Sequence, residues 1–147
     1  MKAIVISDVH LHDFRSYNLF GDTRFRLNQY IKLAHRISDI AIKNGVKVLF
    51  IAGDFLHVAS PRPYIVNVAR EFLRIVTEQL DVYVIAGQHD LDTRLVQKSN
   101  AKSINENTYL TLLNEMERVH YVHKQVITLS NDQGSATIAF NSWPPVS

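Results

Sequence analysis

The sequence predicts an α/β fold: a layered, mostly parallel sheet with flanking helices that starts β-α-β-α-β and ends in a β-hairpin. Three observations carry this. Three short β-branched apolar runs punctuate the first two thirds of the chain, two segments of helical periodicity separate them, and a turn signal joins two strand-like stretches near the end. Alternation of strand and helix is the order expected of a parallel layer.

The runs are Lys2–Ser7 (KAIVIS), Val46–Ala52 (VKVLFIA) and Val82–Ala86 (VYVIA). Continuous apolar runs of this length suit strands covered on both faces. Between the first two, Leu27, Tyr30, Ile31, Ala34, Ile37, Ile40 and Ala41 recur at helical spacing within Phe25–Lys43. Asn44-Gly45 ends that helix, with Gly45 as a left-handed cap. Pro61 and Pro63 open a second helix that lines up Ile65, Val68, Ala69, Phe72, Leu73, Ile75 and Val76. Proline suits a helix start because the N–H it lacks would be unpaired there. Arg94–Asn107 is polar and reads as a loop, and Thr108–Glu117 reads as a short helix carrying Tyr109, Leu112, Leu113 and Met116. His120 and His123 read as edge-strand residues. Gln125–Leu129 and Ser135–Phe140 flank Asn131-Asp132-Gln133-Gly134, a hairpin signal. Trp143–Ser147 follows a strand directly, so the layer reads as unfinished.

Composition excludes several classes. The chain has 147 residues, 16 Lys+Arg against 14 Asp+Glu, a net charge of +2, and 46% hydrophobic residues, the balance of one soluble globular domain. No apolar run approaches the roughly 18–20 residues that span a bilayer, so no membrane segment is expected. The run Ala3–Ile6 stops at Ser7-Asp8, too short for a signal-peptide core, and a cytoplasmic setting is the expectation. With no cysteine, disulfides, thiolate metal sites and a cysteine nucleophile are all excluded. The net charge is too small to argue for or against nucleic acid.

Ligands of open α/β sheets bind outside the carboxyl ends of the strands. Those ends read Ser7-Asp8-Val9-His10-Leu11-His12, Ala52-Gly53-Asp54-Phe55-Leu56-His57 and Ala86-Gly87-Gln88-His89-Asp90. Each delivers a carboxylate and at least one imidazole to the same edge. Hard carboxylate oxygens mixed with imidazole nitrogens suit manganese, iron or zinc better than magnesium alone. Gly53 and Gly87 allow sharp turns that bring the next side chain close to a metal.

The pattern Asp8-x-His10, Gly53-Asp54 and Gly87-Gln88-His89-Asp90 resembles that of the calcineurin-like metallophosphoesterases, in order and at strand ends. With Leu11 after His10, and Phe55-Leu56-His57 then Ser60-Pro61 after Asp54, it is similar to the SbcD-type nuclease subunit of double-strand-break repair, phage counterparts included. The resemblance covers roughly residues 1–92. It implies a DNA exo/endonuclease working through two divalent ions, manganese foremost, with an SMC-like ATPase partner and a homodimer. It implies that Asp8 and His10 bind the first metal, Asp54 bridges both, and Gln88 stands where the family has a metal-binding Asn. It further implies His89 as general acid, His57 as a helper that orients phosphate and His89, and Asp90 as a support for the loop.

Two departures accompany the resemblance. Gln88 is one methylene longer than Asn, which moves its amide oxygen about 1.5 Å outward. The later histidine and Gly-His-x-His segment that complete the second metal site have no match in His120 and His123. Residues 1–147 are therefore expected to be the N-terminal portion of a nuclease domain, with an incomplete second half and second metal site. Arg15, Arg62 and Arg94 are candidate phosphate contacts at the rim, with Arg24, Arg26 and Lys98 nearby. In the resembling nucleases helices of this half also form the homodimer interface, so some of Tyr30, Phe72 or neighbouring residues are candidates for a surface shared with a second subunit. The alternatives are a small-substrate phosphodiesterase or phosphatase of the same superfamily, and a catalytically incomplete dimerisation or regulatory module. A cytoplasmic location extends to the nucleoid, or to the host cytoplasm for a phage protein.

Overall fold

Each apolar run forms a strand; the first two strands are shorter than their runs, and the third starts and ends one residue earlier than its run. The computed structural model describes residues 1–14, 24–92 and 108–142. In chain order these form β1 (Ile4–Ile6), α1 (Phe25–Asn44), β2 (Val48–Ala52), α2 (Pro63–Thr77), β3 (Asp81–Ile85), α3 (Leu110–Leu113), β4 (Val119–Tyr121), β5 (Gln125–Asn131) and β6 (Gly134–Phe140). The first four strands make one parallel sheet in the order β1-β2-β3-β4, and β5 pairs antiparallel with β6. The predicted α/β class, parallel layer and terminal hairpin are all present.

Register decides what each face of the sheet carries. Ile4, Leu49, Val82 and Val119 align across the sheet, as do Ile6, Ile51, Val84 and Tyr121. These rows join the buried stripes of α1 and α2 in one core. Gly45, at φ 63°, turns the chain out of α1 as a left-handed cap. Pro63 opens α2, whose Phe72 ring meets Phe55 edge-on at 5.5 Å. The Ser38 hydroxyl donates to the Ile75 carbonyl at 3.3 Å and ties the two helices together. Tyr30 and Phe72 are both buried in this core, so neither is a surface residue offered to a second copy. They were candidates because an apolar stripe reads alike in sequence whichever surface covers it.

The opposite face corrects another expectation. The row Val5, Phe50, Tyr83 and His120 points away from the helices. Phe140, from the end of β6, packs on it at 5.7 Å from Phe50 and 5.8 Å from Tyr83, while Val5 on the edge strand stays 65% exposed. A continuous apolar run thus marks a strand without showing that both its faces are covered.

The predicted helix over Thr108–Glu117 contracts to α3. The Asn114 side chain accepts the Tyr121 N–H at 2.7 Å, and Arg118 takes a left-handed φ of 64°, so the chain reverses into β4. Leu110 and Leu113 are buried, whereas Leu112 faces solvent. His120 lies in the edge strand β4 and His123 just beyond it. The loop expected at Arg94–Asn107 and the tail Trp143–Ser147 lie outside the described residues.

Phe72 is the side chain through which the core reaches the loop after β2. Phe72→Ala is expected to lower unfolding stability by about 3–5 kcal/mol, the usual cost of emptying a buried ring site. Chemical denaturation with an unchanged m-value checks it.

Candidate active site

The carboxyl ends of β1, β2 and β3 converge, and their backbones do most of the positioning. Beyond β1 and β2 the chain kinks at Asp8 (φ 54°), His10 (φ 47°), Gly53 (φ 91°) and Asp54 (φ 50°). Left-handed geometry costs a non-glycine residue about 1–2 kcal/mol, so three such residues persist only where their surroundings hold them. Here the two loops hold each other. Asp8 N–H donates to Gly53 O at 3.2 Å, His10 N–H to Asp54 O at 2.9 Å, and Leu11 N–H to Phe55 O at 2.9 Å. A Leu11–Leu56 bridge then resumes the parallel pairing past the kink. The Tyr30 hydroxyl donates to the His10 carbonyl at 2.8 Å, so α1 also fixes the first loop.

The third loop is clamped to the second. The buried Asp90 carboxylate accepts Leu56 N–H at 2.7 Å, Gly87 N–H at 2.8 Å and Phe55 N–H at 3.3 Å. Burial pushes its pKa up to about 6, the three N–H donors pull it down, and the Asp54 charge adds to the rise. Asp90 thus joins two loops. Asp54 in turn accepts the backbone N–H of His89 at 2.8 Å through Oδ1.

Two groups of ligand-type atoms result. Asp8, His10 and Asp54 offer atoms within 4.8 Å of one another, as do His10, His57 and His89. His10 belongs to both: its Nε2 lies 3.7 Å from Asp8 Oδ1 and 3.8 Å from Asp54 Oδ2, and its Nδ1 lies 3.4 Å from His57 Nδ1. His89 Nδ1 bonds the His57 carbonyl at 2.9 Å. A carbonyl only accepts, so this bond puts the proton on Nδ1 and the lone pair on Nε2. Burial, then the positive charge of His12, His10 and His89, lowers the His57 pKa, and Asp54 opposes this. The lowering favours the neutral ring, the form that binds metal. Two carboxylates and an imidazole, one carboxylate held against a Cβ-free Gly87, fit a divalent cation, which Asp8, His10 and Asp54 would hold.

Gln88 lines a depression shared with His57, His89, Val58 and Ser60. Arg62 is exposed at the N-cap of α2, whereas Arg15 and Arg94 lie outside the described residues. The His12 Nε2 lies 3.3 Å from the buried Asp13, which also accepts the Tyr64 hydroxyl. His35 is exposed on α1, His120 stacks on Tyr83 at 4.8 Å, and His123 Nδ1 accepts the Ser142 N–H at 3.4 Å. These three stand apart from the cluster. Sequence reading missed Phe14, whose ring lies 4.6 Å from His57, and the role of Tyr30 beneath His10. A lone loop aromatic carries no signal, and Tyr30 fits the core stripe of α1.

Gly87 offers the sharpest local test. A Cβ there would stand 2.2 Å from Asp54 Oδ1 and 2.3 Å from Asp54 N. Gly87→Ala is expected to displace Asp54 and weaken divalent-cation binding at least tenfold while the far-ultraviolet circular dichroism stays native. Isothermal titration with Mn²⁺ reads the first quantity.

One solved structure similar to this chain is the nuclease MPE of Pseudomonas putida, at 21% identity and a TM-score of 0.47, over 85% of this chain and 50% of that one. The chain thus spans about half the length of that neighbour. The family described as calcineurin-like phosphoesterase matches residues 1–143. By that match, over nearly its whole length, the chain belongs to the calcineurin-like phosphoesterases, hydrolases that act on phosphoesters with divalent metals.

Proposed function

We propose that this chain is the N-terminal portion of a DNA exo/endonuclease of the SbcD-type repair branch, acting with manganese. In this reading it works beside an SMC-like ATPase as a homodimer. The observation that carries the reading is the meeting of Asp8, His10 and Asp54 with His57 and His89 at one sheet edge. His57 after Gly53-Asp54-Phe55-Leu56 favours the nuclease branch over small-substrate relatives.

Divalent ions, when bound, supply Lewis acidity towards phosphoryl oxygen and activate a water for in-line attack. The chain supplies the rest. Asp8, His10 and Asp54 would hold the cations, with the Gln88 amide oxygen as a further ligand where the family has Asn. The His89 backbone is anchored on Asp54 and its Nδ1 on the His57 carbonyl. Nε2 is thus the nitrogen left free for the leaving oxygen, to which it passes a proton only after taking one up, with Nδ1–H kept on the carbonyl. His57 orients the phosphate and His89. Asp90 keeps the second and third loops together rather than binding metal. Arg62, with Arg15 and Arg94, draws the DNA backbone to the rim.

One observation favours a second reading, an incomplete regulatory module. His120 and His123 both stand away from the cluster, on Tyr83 and Ser142, so neither supplies an imidazole to a second metal.

Hydrolysis of linear duplex DNA in Mn²⁺, set against bis-p-nitrophenyl phosphate, separates the readings. The nuclease reading expects degradation from DNA ends, and a His89→Asn loss of about 10²–10⁴-fold in turnover with Mn²⁺ affinity kept. It also expects one Mn²⁺ to bind more tightly than a second. Turnover of the small ester alone identifies a small-substrate phosphodiesterase. No turnover of either at saturating Mn²⁺ identifies the regulatory module.

A further inference from the structure

The second ligand group, His10, His57 and His89, does not consist of carboxylates. One nitrogen from each of its three rings lies within 4.8 Å of the other two. Ring centroids stand 4.8 Å apart for His10 and His89, 5.3 Å for His57 and His89, and 5.4 Å for His10 and His57. Imidazoles on a tetrahedral ion with a metal–nitrogen distance of about 2.0–2.1 Å have centroids about 5.2 Å apart and ligating nitrogens about 3.4 Å apart. The His10 Nδ1 to His57 Nδ1 distance is 3.4 Å.

Two of the rings are also held for such a role. The His89 Nδ1 bond to the His57 carbonyl, at 2.9 Å, fixes the tautomer with Nε2 unprotonated. A backbone carbonyl on the far nitrogen is the usual support of a ligating histidine. The His10 carbonyl is pinned by Tyr30, which keeps its backbone in place. Its ring turns Nδ1 to His57 and Nε2 to the two carboxylates.

The geometry points to a tris-histidine site for a borderline cation, Zn²⁺, built from His10, His57 and His89 beside the carboxylate group. Three imidazoles with no carboxylate suit zinc and disfavour manganese or magnesium. A neutral imidazole has one lone pair, so His10 serves the carboxylate group through Nε2 or the histidine group through Nδ1, never both at once. The two groups therefore compete for one ring. Zinc on the histidine group withdraws His10 from the carboxylates and occupies the Nε2 of His89, which makes zinc an inhibitor of the manganese-loaded protein. That consequence for turnover rests on the roles proposed above for His10 and His89; the binding itself does not.

The test is binding of the metal alone to the full chain. Co²⁺, a spectroscopic stand-in for zinc, is titrated while visible absorption is followed, and Zn²⁺ affinity is read by competition with a chromogenic chelator. Wild type and Asp8→Asn are expected to give the intense bands of tetrahedral cobalt and zinc affinities within about threefold of each other. His57→Ala is expected to lose those bands and to bind zinc at least tenfold more weakly, the size of effect typical of damaged metal sites. His89→Gln is expected to do the same and serves where His57→Ala does not fold, as judged by circular dichroism. Zinc binding weakened by Asp8→Asn but not by the histidine variants would overturn the assignment. Weak octahedral cobalt bands in wild type, or no zinc uptake, would also overturn it. Loss of nuclease activity in every assay would leave this outcome unaffected, so failure of the two proposals is distinguishable.

Discussion

The backbone contact between the second and third strand ends is the constraint on which the rest of the site depends. Gly53 and Gly87 approach so closely that a Cβ on Gly53 would stand 3.1 Å from the Gly87 Cα. Asp54 fills the space a Gly87 side chain would need. Because Asp54 sits there, its Oδ1 accepts the His89 N–H while its Oδ2 lies 3.8 Å from His10. One carboxylate thereby relates all three loops. The contact is held by Asp90, a buried charge whose cost is offset by three backbone donors. Without those donors a carboxylate buried there would not stay ionised.

Strain and support balance in the same place. Asp8, His10 and Asp54 take left-handed backbone angles, which are uncommon outside glycine even though Asp and His adopt them more often than most residues. What keeps His10 there is a ladder on one side and the Tyr30 hydroxyl on the other. The helix core thus reaches the metal-type residues through Tyr30, and through Phe72 against Phe55 beside Asp54. Packing and chemistry share the same side chains. The cluster is also crowded: burial first, then the neighbouring His12, His10 and His89 rings, lowers the proton affinity of His57 and favours the form a cation needs.

Much of this was legible in the sequence, for physical reasons. Strands announce themselves through β-branched runs, and α1 and α2 through spacing that no other structure needs. Strand ends in a parallel layer share an edge, so three short motifs far apart in the chain could be read as one site. The covered face of each strand was not legible, because Val5 and Val82 look alike as letters though one is exposed and the other buried. Nor was the length of α3, which ends where the Asn114 side chain pairs with Tyr121 across a reversal. The left-handed angles of Asp8 and His10 escaped too, since only glycine advertises such geometry. His10 as the ring common to two ligand groups emerges only from the orientation of its nitrogens.

The central claim is that the ends of β1, β2 and β3 form one cation site. Paramagnetic broadening of backbone amide signals by substoichiometric Mn²⁺ tests it most directly. The account expects signals of Asp8–His10, Gly53–His57 and Gly87–Asp90 to vanish first, those of the β5–β6 hairpin turn to persist, and Asp54→Asn to abolish the selectivity. Broadening that centres elsewhere, or that survives unchanged in Asp54→Asn, would contradict it.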